Sequence, residues 1–218
     1  MIRVLLAVLI AANYLIGAGF NGKIEFVSDY LFRGVTQTDH ENALQGTLRY
    51  SFESGFYLGA FGSNIYDPRK DNTRAIEYDF RGGYLGEAGD MRFEAGAISR
   101  NFSFEDANFV EALFAVGYGG FDLAYYSVIS ADGGRGEGDR YVEASAGFSE
   151  VLDLVDIGFG AGYALPNDRD EDKPLNLFAS LGRAFGRSVY IGARGELYSS
   201  DAKSFGKPRG LISLRAAF

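Results

Sequence analysis

A chain of 218 residues with a formal net charge of −8 is a poor partner for nucleic acid, and the absence of cysteine removes disulfide staples, thiolate metal sites and cysteine nucleophiles. Its 30 glycines and 15% aromatic residues lean toward an all-β fold with tight turns. Length alone does not decide whether such a chain buries a soluble core or builds a membrane barrel.

Arg3 opens an apolar run from Val4 to Ile16, followed by the small residues Gly17, Ala18 and Gly19. This predicts a secretory signal peptide over residues 1–19, leaving 20–218 as one exported domain. A membrane-spanning helix needs roughly 20 apolar residues, and this run is shorter and interrupted by Asn13 and Tyr14. Losing Arg3 with the leader takes the net charge from −8 to −9.

Twelve segments then read as strands, at about 23–33, 42–53, 56–66, 75–86, 90–101, 107–118, 121–130, 140–149, 153–164, 174–185, 188–199 and 209–218. Each is long enough to cross a bilayer at a tilt, which takes roughly 9–11 residues. Alternation is clearest in the fourth, where Ile76, Tyr78, Phe80 and Tyr84 oppose Glu77, Asp79 and Arg81. The third, Phe56 to Tyr66, is ambiguous on both faces. In the ninth, Gly158, Gly160 and Gly162 point inward, where missing side chains widen the lumen or let the wall bend.

Connections alternate short and long along the chain, as periplasmic turns and external loops do in an outer-membrane barrel. All four prolines (Pro68, Pro166, Pro174, Pro208) and all five lysines (Lys23, Lys70, Lys173, Lys203, Lys207) fall in loops or at strand ends. Proline cannot donate to a ladder, and lysine is costly against lipid. A soluble barrel has the inverse arrangement, with lysines scattered over its outer face. The last strand carries Ile212, Leu214 and Ala216 on one face and Ser213, Arg215 and Ala217 on the other, and ends on Phe218. Closure of the ring pairs it with the first strand, which brings Arg215 among Glu25 and Asp29.

The stretch Val27-Ser28-Asp29-Tyr30-Leu31-Phe32-Arg33-Gly34-Val35-Thr36-Gln37-Thr38, with Ala43-Leu44-Gln45-Gly46, Glu53-Ser54-Gly55-Phe56-Tyr57-Leu58-Gly59 and Gly62-Ser63-Asn64, resembles the TorF family of proteobacterial porins. Weaker similarity continues through Glu77-Tyr78-Asp79 and Phe121 to Tyr126. A departure is Phe61, where the resemblance leads one to expect tryptophan; the chain has none, so tyrosine and phenylalanine are left to form the interfacial belt. The resemblance implies an outer-membrane barrel and a pore, and brings no substrate or catalytic residue. It also implies that the terminal strand ending at Phe218 is read by the barrel-assembly machinery. Arg33 is expected to end the first strand and Gly34 to begin the first loop near the outer rim. The motif reads first as structural, with Gly34 permitting a turn and Asp29 pairing with Arg33 four residues away on the same face, and second as a constriction or loop anchor.

Candidate lumen-lining residues follow from the inward faces. They are the acids Glu25, Asp29, Glu77, Asp79, Glu94, Glu111, Glu143, Asp156 and Glu196, and the arginines Arg33, Arg49, Arg81, Arg92, Arg100, Arg194 and Arg215. Opposed charges of this kind form either an ion-selective eyelet or salt-bridge ladders that close a narrow barrel.

His40, between Asp39 and Glu41, reads as a solvated loop residue with no serine placed beside it. A lipid hydrolase is therefore disfavoured, and no catalytic residue, cofactor or metal ligand is assigned. Asp168-Arg169-Asp170-Glu171-Asp172 reads as an acidic loop tip, because Lys173 stands where a calcium loop needs glycine and Ala179 where it needs a bidentate glutamate. Gly133-Gly134-Arg135-Gly136-Glu137-Gly138 reads as a flexible loop and not a phosphate cradle. The chain is thus expected to be an all-β, twelve-stranded antiparallel outer-membrane barrel that passes small hydrophilic solutes or ions. The alternative is a closed structural or adhesive barrel. Its partners are outer-membrane lipid, lipopolysaccharide and the solutes themselves.

Overall fold

The computed structural model describes residues 19–70, 73–104, 106–151, 154–168, 172–186, 188–201 and 205–218. The expected leader therefore lies outside the described residues except for Gly19, as do the centre of the 168–172 acidic run and Lys203. Strands run β1 (Phe20–Val27), β2 (Leu31–Phe32), β3 (Val35–Thr36), β4 (Ala43–Ser51), β5 (Phe56–Asp67), β6 (Thr73–Ala88) and β7 (Met91–Phe102). They continue as β8 (Phe109–Tyr118), β9 (Phe121–Ala131), β10 (Arg140–Val151), β11 (Val155–Leu165), β12 (Leu175–Phe185), β13 (Val189–Ser199) and β14 (Arg209–Ala217). All but β2 and β3 join one closed antiparallel barrel of twelve strands, in the order β1, β4 to β14 and back to β1. The ring closes with Lys23 opposite Ala217, Glu25 opposite Arg215 and Val27 opposite Ser213. Phe218 adds two further backbone bonds to Gly22, at 2.8 and 2.9 Å.

The wall is inverted relative to a soluble protein. Leu44, Leu58, Ile76, Phe80, Phe114, Ile129, Ile212 and Leu214 are exposed, whereas Glu25, Glu77, Asp79, Arg100, Glu111 and Glu196 are buried. A continuous apolar outer face with charge sealed inside belongs in hydrocarbon, where it is covered by lipid chains. Aromatic pairs cluster at the end of the barrel that carries the short turns and both strand termini: Phe20 with Tyr50, Phe56 with Tyr84 and Phe148 with Phe159. These rings form the girdle at that interface without tryptophan. The ambiguous third segment resolves as β5, with Tyr57, Ser63, Ile65 and Asp67 buried and Phe56 and Leu58 exposed.

The first connection differs from expectation. β1 ends at Val27, six residues short of Arg33, because the chain leaves the wall and dips into the lumen. Ser28 marks the departure: its amide bonds the Ile212 carbonyl at 3.0 Å, while its hydroxyl accepts from the Ile212 amide at 2.9 Å. Beyond it β2 and β3 form a hairpin, with Leu31 opposite Thr36 and Phe32 opposite Val35. Its two tip residues, Arg33 (φ 51°) and Gly34 (φ 84°), both lie in the left-handed region, as a two-residue type I′ turn requires. Asp29 fixes the hairpin's base by accepting from the Thr36 hydroxyl at 2.6 Å and the Thr38 hydroxyl at 3.1 Å. The expected Asp29–Arg33 pair is therefore replaced: Asp29 holds the stem, and Arg33 reaches elsewhere.

One other expectation is corrected. The inward faces of Gly160 and Gly162 do not widen the lumen, since a Cβ at Gly160 would collide with the Phe178 ring and one at Gly162 with Tyr141. The glycine-rich 133–138 loop closes at its base, where the Gly138 amide bonds the Val128 carbonyl at 2.9 Å and the Val128 amide the Asp139 carbonyl at 2.8 Å.

Replacing the exposed mid-strand Phe80 by arginine should lower folding stability in lipid vesicles by about 2–4 kcal/mol, read from the denaturant midpoint of refolding. An unchanged midpoint would mean that this face does not meet lipid.

Candidate functional site

The hairpin spans the lumen from the β1 side to the opposite wall. Arg33 Nη2 pairs with Glu111 Oε1 on β8 at 2.8 Å. Its guanidinium lies 4.2 Å from the Tyr141 ring centre on β10 and 5.0 Å from Tyr126 on β9. The Gly34 carbonyl accepts from Arg209 Nη1 on β14 at 3.0 Å. A Cβ on Gly34 would lie 2.8 Å from the Tyr198 ring and 2.9 Å from Asn176 Cβ, so close approach to β12 and β13 as well as turn geometry calls for glycine.

Beneath the tip, Arg100 of β7 is the hub of the buried charge. It contacts Asp79 at 2.8 Å, Glu111 Oε2 at 3.1 Å and Glu77 at 3.6 Å, and lies 4.5 Å from the Phe32 ring centre of the hairpin. One carboxylate, Glu111, thus joins the wall arginine to the loop arginine. Removing one member of such a buried set costs about 3–5 kcal/mol, because the others are left uncompensated. Tyr30, in the segment entering the hairpin, packs its ring 6.1 Å from Phe61. Burial, together with the Glu77 carboxylate, pushes its hydroxyl above the usual tyrosine range and keeps it a neutral donor.

The remaining candidate residues form separate groups. Glu25 pairs with Arg215 at 3.0 Å, and Arg194 with Glu196 at 2.6 Å while lying 3.8 Å from the Phe178 ring centre. Arg49 lies 3.8 Å from the centre of Tyr57, whose hydroxyl bonds Glu94, and the Arg81 stem packs over Gly59. Glu143 accepts from Tyr141 at 3.3 Å. Arg92 and Asp156 are not brought into these groups: Arg92 pairs with Asp122 at the short-turn rim, half exposed, and Asp156 accepts the Glu150 amide at 3.0 Å. His40 keeps a side chain 58% exposed but is held by Asp29 at 3.0 Å, so it is anchored and not merely solvated.

Sequence reasoning missed the aromatic half of the site. Phe32, Tyr57, Tyr126, Tyr141 and Phe178 all carry arginine guanidinium groups on their faces. Tyr141 and Tyr57 share a strand face with polar residues, which was the available signal. Nothing local marked the hairpin as inturned.

Among the described residues, cavities lie on both sides of the hairpin. One, of about 450 Å³, lies toward the chain termini and is lined by Glu25, Arg100, Glu143, Arg194, Glu196 and Arg215. The other, of about 440 Å³, lies toward the long loops and is lined by Val35, Phe109, Glu111, Arg135, Asn176 and Tyr198. Phe32, Arg33 and Tyr141 line both.

Glu111→Gln should weaken the hold on the hairpin, raising amide exchange at Tyr30 and Gln37 about a hundredfold. Exchange unchanged from the parent protein would show that Glu111 does not anchor the loop.

Comparison with solved structures gives the same architecture at low identity. The KdgM porin aligns with a TM-score of 0.61 and 10% identity over 91% of this chain and 98% of that one. KdgM in complex with disordered oligogalacturonate aligns equally well. Omp33 of Acinetobacter baumannii gives 0.52 and 12% identity over 93% and 99%. At such identities the likeness establishes the barrel fold alone. No curated protein matches the sequence significantly. The family model described as "Bacterial protein of unknown function (Gcw_chp)" matches residues 14–149, which include the hairpin and its Glu111 anchor. By that match, over more than half its length, the chain belongs to the Gcw_chp family of bacterial proteins.

Proposed function

We propose that this protein is an outer-membrane channel that passes small hydrophilic solutes by diffusion, narrowed where the first loop crosses the lumen. The observation that carries the reading is the pair of cavities meeting at Phe32, Arg33 and Tyr141. A lumen filled by side chains would leave no such volumes on both sides of a single constriction. The lipid-type outer wall and the architecture shared with the KdgM porin and the outer membrane protein Omp33 support the same reading. So does the resemblance of residues 27–64 to TorF-type porins, which falls inside the family match. The signal peptide over 1–19, recognition of the Phe218 strand by the assembly machinery, and lipopolysaccharide contact belong to this proposal.

Selection would act through charge and width at the crossing, because charged groups lining a narrow passage set what enters. The lumen-facing acids and arginines are mostly paired with one another, so the field a solute meets is local and alternating. A solved structure holds KdgM in complex with disordered oligogalacturonate; a polar chain of that kind is one candidate solute for this lumen. Enzymatic chemistry is not part of the proposal. The Thr36 and Thr38 hydroxyls beside the Asp29–His40 pair both donate to Asp29, and the Ser28 hydroxyl accepts from Ile212, so none of these three is held as a nucleophile against His40.

A closed barrel is the second reading, and the ion pairs joining the hairpin to the far wall favour it. Planar-bilayer conductance separates the two. The proposal expects discrete channels from the intact protein. Replacing Leu31 to Thr36 by two glycines should increase conductance several-fold; Tyr30 and Gln37 are already bonded at 2.7 Å, so the short bridge fits. Silence from both well-folded proteins would establish the closed barrel.

A further inference from the structure

The long-loop cavity has a chemistry distinct from the rest of the lumen. Phe109 and Pro174, with Phe32 at the crossing, give it apolar walls, whereas the other cavity presents more polar than apolar surface and carries Glu25, Glu143, Arg194, Glu196 and Arg215. Its cationic groups are Arg33, Arg135 and Arg140, against the acids Glu111 and Asp139. Glu111 is spent on Arg33 and Arg100 through separate oxygens, and Asp139 accepts the Asn167 amide through Oδ1 at 2.7 Å, so of the acids lining the cavity Arg135 and Arg140 face Asp139 alone. Arg135 makes no ion pair among the described residues. Asn176, only 2% exposed, accepts from the Tyr141 hydroxyl at 2.8 Å, while its Nδ2 has no partner on the protein. A buried amide donor left unpaired by the protein is costly unless water or a ligand satisfies it.

We infer that this cavity is a binding site for a small monocarboxylate with an aromatic or otherwise apolar body, captured before it passes the hairpin. The inference rests on the channel reading above and deepens it by naming a substrate class. The carboxylate meets Arg135 and Asn176 Nδ2, with Arg33 as the cation behind them. The apolar body packs against Phe32, Phe109 and Pro174. A cavity of about 440 Å³ with apolar walls and a few convergent donors is the usual form of a small-ligand site. On a chain whose net charge is −8, this local excess of donors is also what draws an anion inward.

The test uses indole-3-acetate as the probe, with tryptamine as its cationic counterpart and galacturonate as a polar carboxylate. The chain has no tryptophan, so indole emission reports the ligand alone. Indole-3-acetate should bind the folded full-length barrel saturably, and neither tryptamine nor galacturonate should displace it. Arg135→Gln should weaken binding about tenfold, and Asn176→Asp, which keeps the acceptor for Tyr141 and replaces the donor, by at least as much. Equal binding of tryptamine, displacement by galacturonate, or affinity unchanged in both variants would overturn the inference. A conducting barrel that does not bind indole-3-acetate would refute this site and leave the channel standing. Binding without conductance would leave the site and refute the channel.

Discussion

Both oxygens of Glu111 are taken by guanidinium groups of different origin, Arg100 from the barrel wall and Arg33 from the first loop. The wall partner is itself shared with Glu77 and Asp79, so the loop docks onto a charge cluster that exists without it. Such an arrangement is costly to break, because each charge is desolvated and would be stranded by the loss of its neighbour. The stacking of Arg33 and Arg100 on Phe32, Tyr126 and Tyr141 adds contact area that tolerates small shifts of the loop. From that one junction follow the position of the hairpin, the division of the lumen and the character of each cavity.

The wall is built by a different constraint. In a bilayer every backbone group must be bonded, and a closed ring of strands achieves this without an edge. The departure of β1 into the lumen at Ser28 would leave the top of β14 unpaired on one side, and the Ser28 hydroxyl takes over one of the missing bonds. The loop that leaves the wall is therefore held at both ends, by Ser28 and Asp29 at its root and by Glu111 and Arg209 at its tip. A loop so fastened constricts the lumen and does not hang over it.

The barrel was legible in the sequence because its information is strictly local. A strand between lipid and a polar lumen must alternate, so Tyr78 and Phe80 against Glu77 and Asp79 identify both the strand and its faces. The twelve segments and the closure of Glu25 against Arg215 were accessible on those grounds. The hairpin was not, because the residues up to Arg33 keep enough of the alternation of β1 to look like more wall, and those from Gly34 onward look like an ordinary external loop. What diverts it is non-local: Glu111 lies 78 positions away in sequence and Arg209 further still. The inner glycines misled for the same reason, since what fills the space beside Gly162 is Tyr141 of the neighbouring strand.

The central claim is that the first loop crosses the lumen and seats residue 33 against Glu111. Zero-length carbodiimide coupling of an Arg33→Lys variant, followed by mass spectrometry of its peptides, tests that contact directly in the membrane-embedded protein. The account predicts an amide bond between position 33 and Glu111 that disappears when Glu111→Gln is added. Coupling of position 33 only to acids of the long external loops, with Glu111 untouched, would contradict it.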